Sequence, residues 1–428
     1  MQIFNLKYLN SSQEVPKILY KPISITDDNI YFEKLIIGME DTWSEGIWEY
    51  DKKNHTINRL DKGHHAENVQ LYDFDTPVNF LSRDVEGSKE QLYFATITEI
   101  DEEDYIEFFE IDLEKRKQRS ILGFTFDKDS FFYKKMEVLA PGYILFRLTY
   151  DMELVDSDFF DSMYLLDVKE KKYYEIMDEA FNINSGNRFL IGENFDEQYL
   201  LIEEYYLDEE EQFEILTSED VELAFDLPGE IEQEQLHVNS IKIIKLSDFI
   251  DQIKAGEETL DFEILDKVDQ DGVIRIIGET RGALYYKKEQ YDFILRQKND
   301  FMSRRKLGRT EIYKIDKFDL EVSYVKDIDK ASKIRHGEIF IYEIIEDEEN
   351  AQIFDLDTGE LIYNYKFRYN GQVKQEVVGF KDDEYLIVKY TSLSDDNIFK
   401  YEVMDTLKNK TIIIGDDILV LDGYIFVI

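Results

Sequence analysis

Apart from carboxylates, the side chains that most often carry chemistry are sparse in this sequence. It has five histidines, His55, His64, His65, His237 and His336, and no cysteine. His64, His65 and Glu67 offer two imidazoles and a carboxylate. Adjacent side chains of an extended chain point to opposite sides, however, and no further ligand stands nearby, so no metal site is expected there. Without cysteine there is no thiolate nucleophile, disulfide framework or Cys-based zinc site. The sequence contains no G-x-S-x-G elbow, P-loop, H-E-x-x-H or Gly-rich dinucleotide fingerprint, and Gly186–Glu193 is too loose to cradle phosphate. Carboxylates abound, with 94 Asp and Glu against 50 Lys and Arg, a net charge of −44. Two of them at the right separation suffice for glycoside hydrolysis, so a carboxylate-dependent, glycosidase-like hydrolase stays open as an alternative. Asp151–Asp161 (DMELVDSDFFD) is dense enough to weigh calcium, but it lacks the sixth-position Gly and closing Glu of an EF-hand loop. No cofactor is expected.

The charge also bears on partners. A strongly negative chain repels phosphate backbones and anionic lipid surfaces, so neither nucleic acid nor membrane is an expected partner, and a basic protein or peptide is. The 428 residues are 43% hydrophobic, with 30 Phe and 29 Tyr, enough bulky apolar material to fold despite the charge. No basic stretch followed by an apolar run opens the chain, and no segment approaches 18 consecutive apolar residues, which makes a cytoplasmic location the expectation. The wealth of Ile, Lys, Asn, Tyr, Asp and Glu is in the style of an AT-rich bacterium.

Two elements recur and would position these residues. The first is a polar turn followed by an apolar-aromatic strand: Thr26–Phe32, Ser88–Phe94, Ala140–Phe146, Phe195–Ile202, Arg281–Tyr286, His336–Tyr342, Lys381–Val388 and Leu421–Ile428. The second is a strand closing near Asp, a turn and another strand, with the aspartate at Asp51, Asp112, Asp167, Asp316, Asp355 and Asp405. Aspartate there can accept backbone N–H bonds and start the turn, which is a structural role. Ile241–Leu265 is a looser copy with a short helix over 247–256 in place of the turn: Ser247 as N-cap, Phe249, Ile250 and Ile253 as the apolar face, Gly256 as C-cap. Gln2–Leu19 is the last copy of the second element.

Each pair of elements makes four antiparallel strands over about 53 residues, close to the length of known propeller blades. The chain therefore resembles the β-propeller superfamily in its repeat, without the signature of any named propeller family. That resemblance implies an all-β fold, one propeller domain over residues 1–428. Counting pairs predicts eight blades, one closed by both termini, or seven if the N-terminal copy is not a hairpin.

Labelling strands A to D outward separates the charges. The B–C loops hold acidic runs that include Asp101, Glu102, Glu103 and Asp104; Asp151, Asp156 and Asp158; Asp208, Glu209 and Glu210; Glu346, Asp347 and Glu348; and Asp395 and Asp396. The C–D turns on the opposite face instead carry basic residues: Lys52 and Lys53; Lys115, Arg116, Lys117 and Arg119; Lys169, Lys171 and Lys172; Lys317; and Lys408 and Lys410. One B–C loop, Lys298–Arg309, is basic through Arg304, Arg305, Lys306 and Arg309, and reads as neutralising part of the acidic rim or as an arm that binds a neighbour. The longest insertion, about 208–240 in the fourth blade, mixes acid with Leu223, Phe225 and Leu227 and reads as a contact arm. The sequence names no reaction. It favours a non-enzymatic protein-interaction module of a bacterial cell, its acidic loop face docking a basic partner; a nucleic-acid-mimicking acidic protein is a further alternative.

Overall fold

The computed structural model describes residues 2–5, 17–37, 42–61, 85–87, 90–100, 103–126, 131–150, 160–178, 181, 188–191, 198–206, 231–233, 237–268, 272–280, 282–297, 300–328, 332–336, 341–347, 349–368, 373–381, 384–393, 399–415, 418–421 and 424–427. The fold is an all-β propeller with seven four-stranded antiparallel blades, and its strands fall into two compact units.

The unit formed mainly by residues 1–182 and 416–428 holds three of these blades. Blade one runs Lys17–Ile25, Asn29–Ile37, Thr42–Asp51 and Thr56–Arg59; blade two Val85–Gly87, Gln91–Ile100, Glu103–Asp112 and Lys117–Phe126; blade three Phe131–Ala140, Tyr143–Tyr150, Phe160–Asp167 and Lys172–Glu175. A three-stranded sheet accompanies them, in which Ile418–Leu421 pairs antiparallel with Tyr424–Val427 and the latter pairs parallel with Gln2–Asn5. Both termini do meet in one sheet. The count of seven four-stranded blades is the one matched, and among the described residues the first segment of the chain, Gln2–Asn5, contributes one strand, parallel to Tyr424–Val427, to this sheet.

The other unit, residues 183–252 and 260–415, holds four blades. Blade four runs Arg188–Ile191, Tyr199–Tyr206, His237–Lys245 and Glu263–Lys267; blade five Gly272–Glu279, Ala283–Gln297, Asp300–Asp316 and Val322–Ile328; blade six Ser332–His336, Ile341–Glu346, Asn350–Asp355 and Leu361–Lys366; blade seven Val373–Lys381, Tyr385–Ser392, Phe399–Asp405 and Lys410–Gly415.

Within each unit successive sheets pack face to face through strand-alternating apolar residues. Tyr31 and Ile47 of blade one meet Leu92, Phe94 and Ile111 of blade two, whose Phe108 and Ile121 meet Met136, Ile144 and Phe146 of blade three. In the other unit Leu201 and Ile243 meet Ile274 and Tyr286, and Tyr342 and Ile353 meet Val377 and Leu386. Tyr and Phe are therefore core material between blades, as their strand-periodic spacing implies.

The six turn aspartates act alike. Asp51 Oδ1 accepts the N–H groups of Lys53 and Asn54 (2.8 and 2.9 Å), and Asp112, Asp167, Asp355 and Asp405 each accept the N–H three residues on at 2.7–2.8 Å. Asp316 accepts that of Phe318 at 2.7 Å. Four residues after each aspartate the chain turns left-handed: His55, Arg116, Lys171, Leu320, Gly359 and Asn409 have φ between 48° and 70°. Only glycine adopts this conformation without a steric penalty.

The outer strands are protected by two devices. In blades two, four, five, six and seven each carries a β-bulge with one extra residue, Ile121, Leu265, Val325, Ile362 and Ile412. In blades one and three it is only four residues long. Bulges and short strands both stop an edge from recruiting another chain.

The expected helix is present as α1 (Leu246–Ala255). Phe249, Ile250 and Ile253 are buried along one face, and Gly256 closes the helix at φ 73°. Ser247 lies inside the first turn, so it is not the N-cap that its residue type suggests; the Leu246 N–H is instead satisfied by the Gln198 carbonyl at 2.9 Å. No helix among the described residues is long and apolar enough to cross a membrane.

Candidate interaction surface

The acidic runs occupy hairpin ends where they are described. Glu103 and Asp104 open a strand of blade two, opposite Ile100 and Glu99, at the end of the hairpin away from Asp112. Glu346 ends a strand of blade six and Asp347 starts the following turn, its Oδ1 accepting N–H bonds from Glu349 and Asn350, each at 2.7 Å. These two bonds hold the Asp347 carboxyl below its usual range. Asp101, Glu102, Asp151, Asp156, Asp158, Asp208, Glu209, Glu210, Glu348, Asp395 and Asp396 lie outside the described residues, as do Leu223, Phe225 and Leu227, His64 and His65.

Glu346 is engaged from two directions. Lys333 Nζ donates to it at 2.8 Å and to Glu376 of blade seven at 2.7 Å, while the N–H of Val377 donates to Glu346 at 2.8 Å. Burial alone would push the Lys333 ammonium down; its bonds to the two glutamates outweigh that and hold it above the ordinary lysine value. Lys333 in turn keeps Glu376 below the usual carboxylate range. Glu346 therefore ties blade six to blade seven, where the sequence reads it only as part of an exposed acidic run.

The same pairing recurs at buried carboxylates. Arg116 donates to Glu49 (2.7 Å), Lys326 to Glu343 (2.5 Å), Arg59 to Asp61 (2.9 Å) and Arg368 to Glu402 (3.4 Å), and Arg119 pairs with Glu110. Glu402 also accepts the hydroxyls of Tyr390 and Thr411. Glu203 accepts the N–H of Ile276 at 2.5 Å, at a bulge in the first strand of blade five. Lys254, in the last turn of α1, donates to Asp167 at 2.5 Å and Glu170 at 2.9 Å, with its ammonium 5.5 and 5.7 Å from the ring centroids of Tyr143 and Tyr174. These glutamates and cations are what sequence reasoning misses. Partners such as Glu49 and Arg116 lie 67 positions apart, and no local pattern links them.

The basic loop is not a loop. Arg304, Arg305, Lys306 and Arg309 lie within the strand Asp300–Asp316, which with Ala283–Gln297 forms a hairpin of 17- and 15-residue strands. A strand from the acidic insertion, Ile231–Gln233, pairs with Met302–Arg304 of this hairpin. At its base, exposed Arg309 donates to both carboxylate oxygens of Asp327 at 2.9 and 3.2 Å, and pairs with Glu311 at 2.8 Å.

Among solved structures the chain is similar to an oligogalacturonate lyase in complex with manganese, at 7% identity over 87% of this chain and 93% of that one, with a TM-score of 0.42. It is similar to Porphyromonas gingivalis dipeptidyl peptidase 4, at 12% identity over 94% of this chain and 55% of that one, TM-score 0.44. The β-propeller domain of the Trilobed protease from Pyrococcus furiosus gives 11% identity over 90% and 92% of the two chains, TM-score 0.39. At these identities the likeness extends to the fold alone, and the chain spans about half the length of the dipeptidyl peptidase. No protein-family model and no curated protein matches it.

Proposed function

We propose that the protein is a non-enzymatic interaction module of the bacterial cytoplasm that docks a basic protein or peptide on its acidic loops. The observation that carries this reading is how its cations are spent. Glu49, Asp61, Glu110, Asp167, Glu343 and Glu402 are all buried, and each is matched by an arginine or lysine. Each such pair is neutral, so the surplus of 94 − 50 = 44 negative charges is carried by residues outside them. Glu103, Asp104 and Asp347, at hairpin ends, are not members of these six pairs. A surface of this kind steers a cationic partner over roughly the Debye length, about 10 Å at 0.1 M salt, and discriminates against anionic ones.

A hydrolase would need a carboxyl held protonated near neutral pH. The carboxylates Asp51, Asp112, Glu170, Asp347, Glu376 and Asp405 are instead held below their ordinary range by backbone N–H groups or by lysine. This supports binding over acid catalysis at those positions.

The test is titration with a fluorescent lysine-rich peptide at about 50 and 300 mM salt, using the native chain and a variant with Asp101→Asn, Glu102→Gln, Glu103→Gln and Asp104→Asn. Affinity should fall at least about tenfold with salt in the native chain, and less in the variant. Identical affinity and salt response in the two proteins would refute docking at this loop.

A further inference from the structure

The hairpin of blade five runs well past its own sheet. Its first strand pairs with Gly272–Glu279 only as far as Gln290, and its second pairs with Val322–Ile328 only from Thr310 onward. Residues 291–297 and 300–309 therefore form an arm beyond the four-stranded blade, within the segment 291–309. In a chain of net charge −44, this segment holds Arg296, Lys298, Arg304, Arg305, Lys306 and Arg309 against Asp292 and Asp300, or 6 − 2 = +4.

One edge of the arm already holds a strand of opposite charge. Ile231, Glu232 and Gln233 pair antiparallel with Arg304, Ser303 and Met302. They belong to the sequence Gly229–Gln235, in which Glu230, Glu232 and Glu234 have no compensating cation. The contact has the form of strand addition, in which main-chain hydrogen bonds supply affinity and flanking charge supplies selectivity. A three-residue strand makes few such bonds, so a longer segment of the same chemistry can replace it. The seven outer blade edges are bulged or short, whereas this edge is occupied by a segment from another blade's insertion.

We propose that the Met302–Arg304 edge of the basic arm is a strand-addition site for an acidic, extended segment of a partner protein, and that Ile231–Gln233 occupies it in cis until the partner displaces it. The site selects a charge opposite to that selected by the acidic loops. Nucleic acid is disfavoured as the occupant because the whole-chain field opposes a polyanion, and because the cis occupant is held through its backbone.

The probe is a synthetic peptide copying Asp226–Leu236 of this chain, DLPGEIEQEQL, with a control in which its acidic residues are lysine. A short tether gives the cis strand an effective concentration of about 1 mM, so a peptide with an intrinsic Kd of about 0.1 mM is weakened about tenfold by competition. Ile231→Pro/Glu232→Pro, which removes the cis backbone donors, should therefore bind the peptide about tenfold more tightly than the native chain. Glu230→Lys/Glu232→Lys/Glu234→Lys should do the same without proline, and serves if the first variant does not fold. Arg304→Glu/Arg305→Glu should lose binding. Amide exchange at Met302–Arg304 should quicken in the proline variant and slow again on peptide addition. Unchanged peptide affinity in both cis-strand variants, equal binding of the lysine control, or a peptide-independent dimer using this edge would each overturn the proposal.

Discussion

Asp112 and Asp405 each bind a lysine of their own turn through the second carboxylate oxygen, whereas the lysine bound by Asp167 comes from α1, 87 positions away. Asp167 Oδ1 accepts the Glu170 N–H at 2.8 Å like its counterparts, and its Oδ2 accepts the Lys254 ammonium at 2.5 Å from α1. It is 3% exposed, so water replaces neither bond readily. Asp167→Ala should cost about 1 kcal/mol for the turn bond and about 1.5–3 kcal/mol for the charge-assisted bond to a half-buried lysine, or about 2.5–4 kcal/mol together. Asp316→Ala, whose described partner is the Phe318 N–H at 2.7 Å, should cost only about 1 kcal/mol. The measurement is amide hydrogen exchange of α1 together with urea unfolding of both variants. The helix should lose protection in Asp167→Ala and retain it in Asp316→Ala. A double-mutant cycle with Lys254→Met should return a coupling above about 1 kcal/mol. Equal losses for the two alanine variants, or a coupling near zero, would refute the latch between α1 and the blade-three turn.

Left-handed turn positions respond according to what else the residue does: Lys171→Gly should stabilise by about 1 kcal/mol in urea unfolding, because it removes the penalty of a side chain at φ 55°. Arg116→Gly should destabilise despite the same relief at φ 51°, since it strips the cation from Glu49, whose side chain is 3% exposed. The depressed carboxyls of Asp51, Asp112, Glu170, Glu376 and Asp405 contribute stability that is complete above their ordinary values of 3.8 for Asp and 4.5 for Glu. Thermal midpoints should therefore fall as pH drops below about 4.5 and keep falling below 3.8, and a flat profile there would contradict it. Burial, with help from the charge of Glu110, pushes the Tyr93 phenol up to about 12 from an ordinary 10.0. The stability it confers is complete below pH 10 and lost toward 12, so absorbance at 295 nm should show a tyrosine class that ionises only as the fold opens.

What was legible in the sequence is what depends on near neighbours. An aspartate and a left-handed residue four positions on fit one local turn, so the six Asp-marked hairpins can be found without knowing the packing. Phe249, Ile250 and Ile253 fall on one helical stripe, and α1 follows from their spacing. Its start does not, because Leu246 is satisfied by a carbonyl 48 positions back instead of by a cap. Lys298–Arg309 reads as a loop because strong charge and a glycine, Gly308, mimic turn chemistry, while its pairing with residues 291–297 and 231–233 is set by partners outside the window. At the last unit the first choice of eight blades gives way to the alternative of seven, for a related reason. Parallel pairing of Gln2–Asn5 with Tyr424–Val427 joins opposite ends of the chain, and strand alternation is the same for parallel and antiparallel neighbours.

The buried ion pairs and the acidic surface follow from one physical constraint. A carboxylate placed between blades must be neutralised there, since an unpaired buried charge costs several kcal/mol. Arg116, Lys254, Lys326 and Arg368 meet that need for Glu49, Asp167, Glu343 and Glu402 respectively, and Arg119 does the same for Glu110 within blade two. Cations held in this way cannot also balance the exposed carboxylates. An acidic exterior is thus the complement of an electrically balanced interior, and the basic arm gains its meaning from that contrast. Its six cations lie in a segment of 19 residues, and Arg309 at its base pairs within blade five, with Asp327 and Glu311. If the arm served only to offset the acidic surface, charge-neutral substitutions there would change solubility and salt response alone. A strand-addition site makes a stricter demand: neutralising Arg304 and Arg305 should also release the Ile231–Gln233 strand, visible as faster exchange at Met302–Arg304.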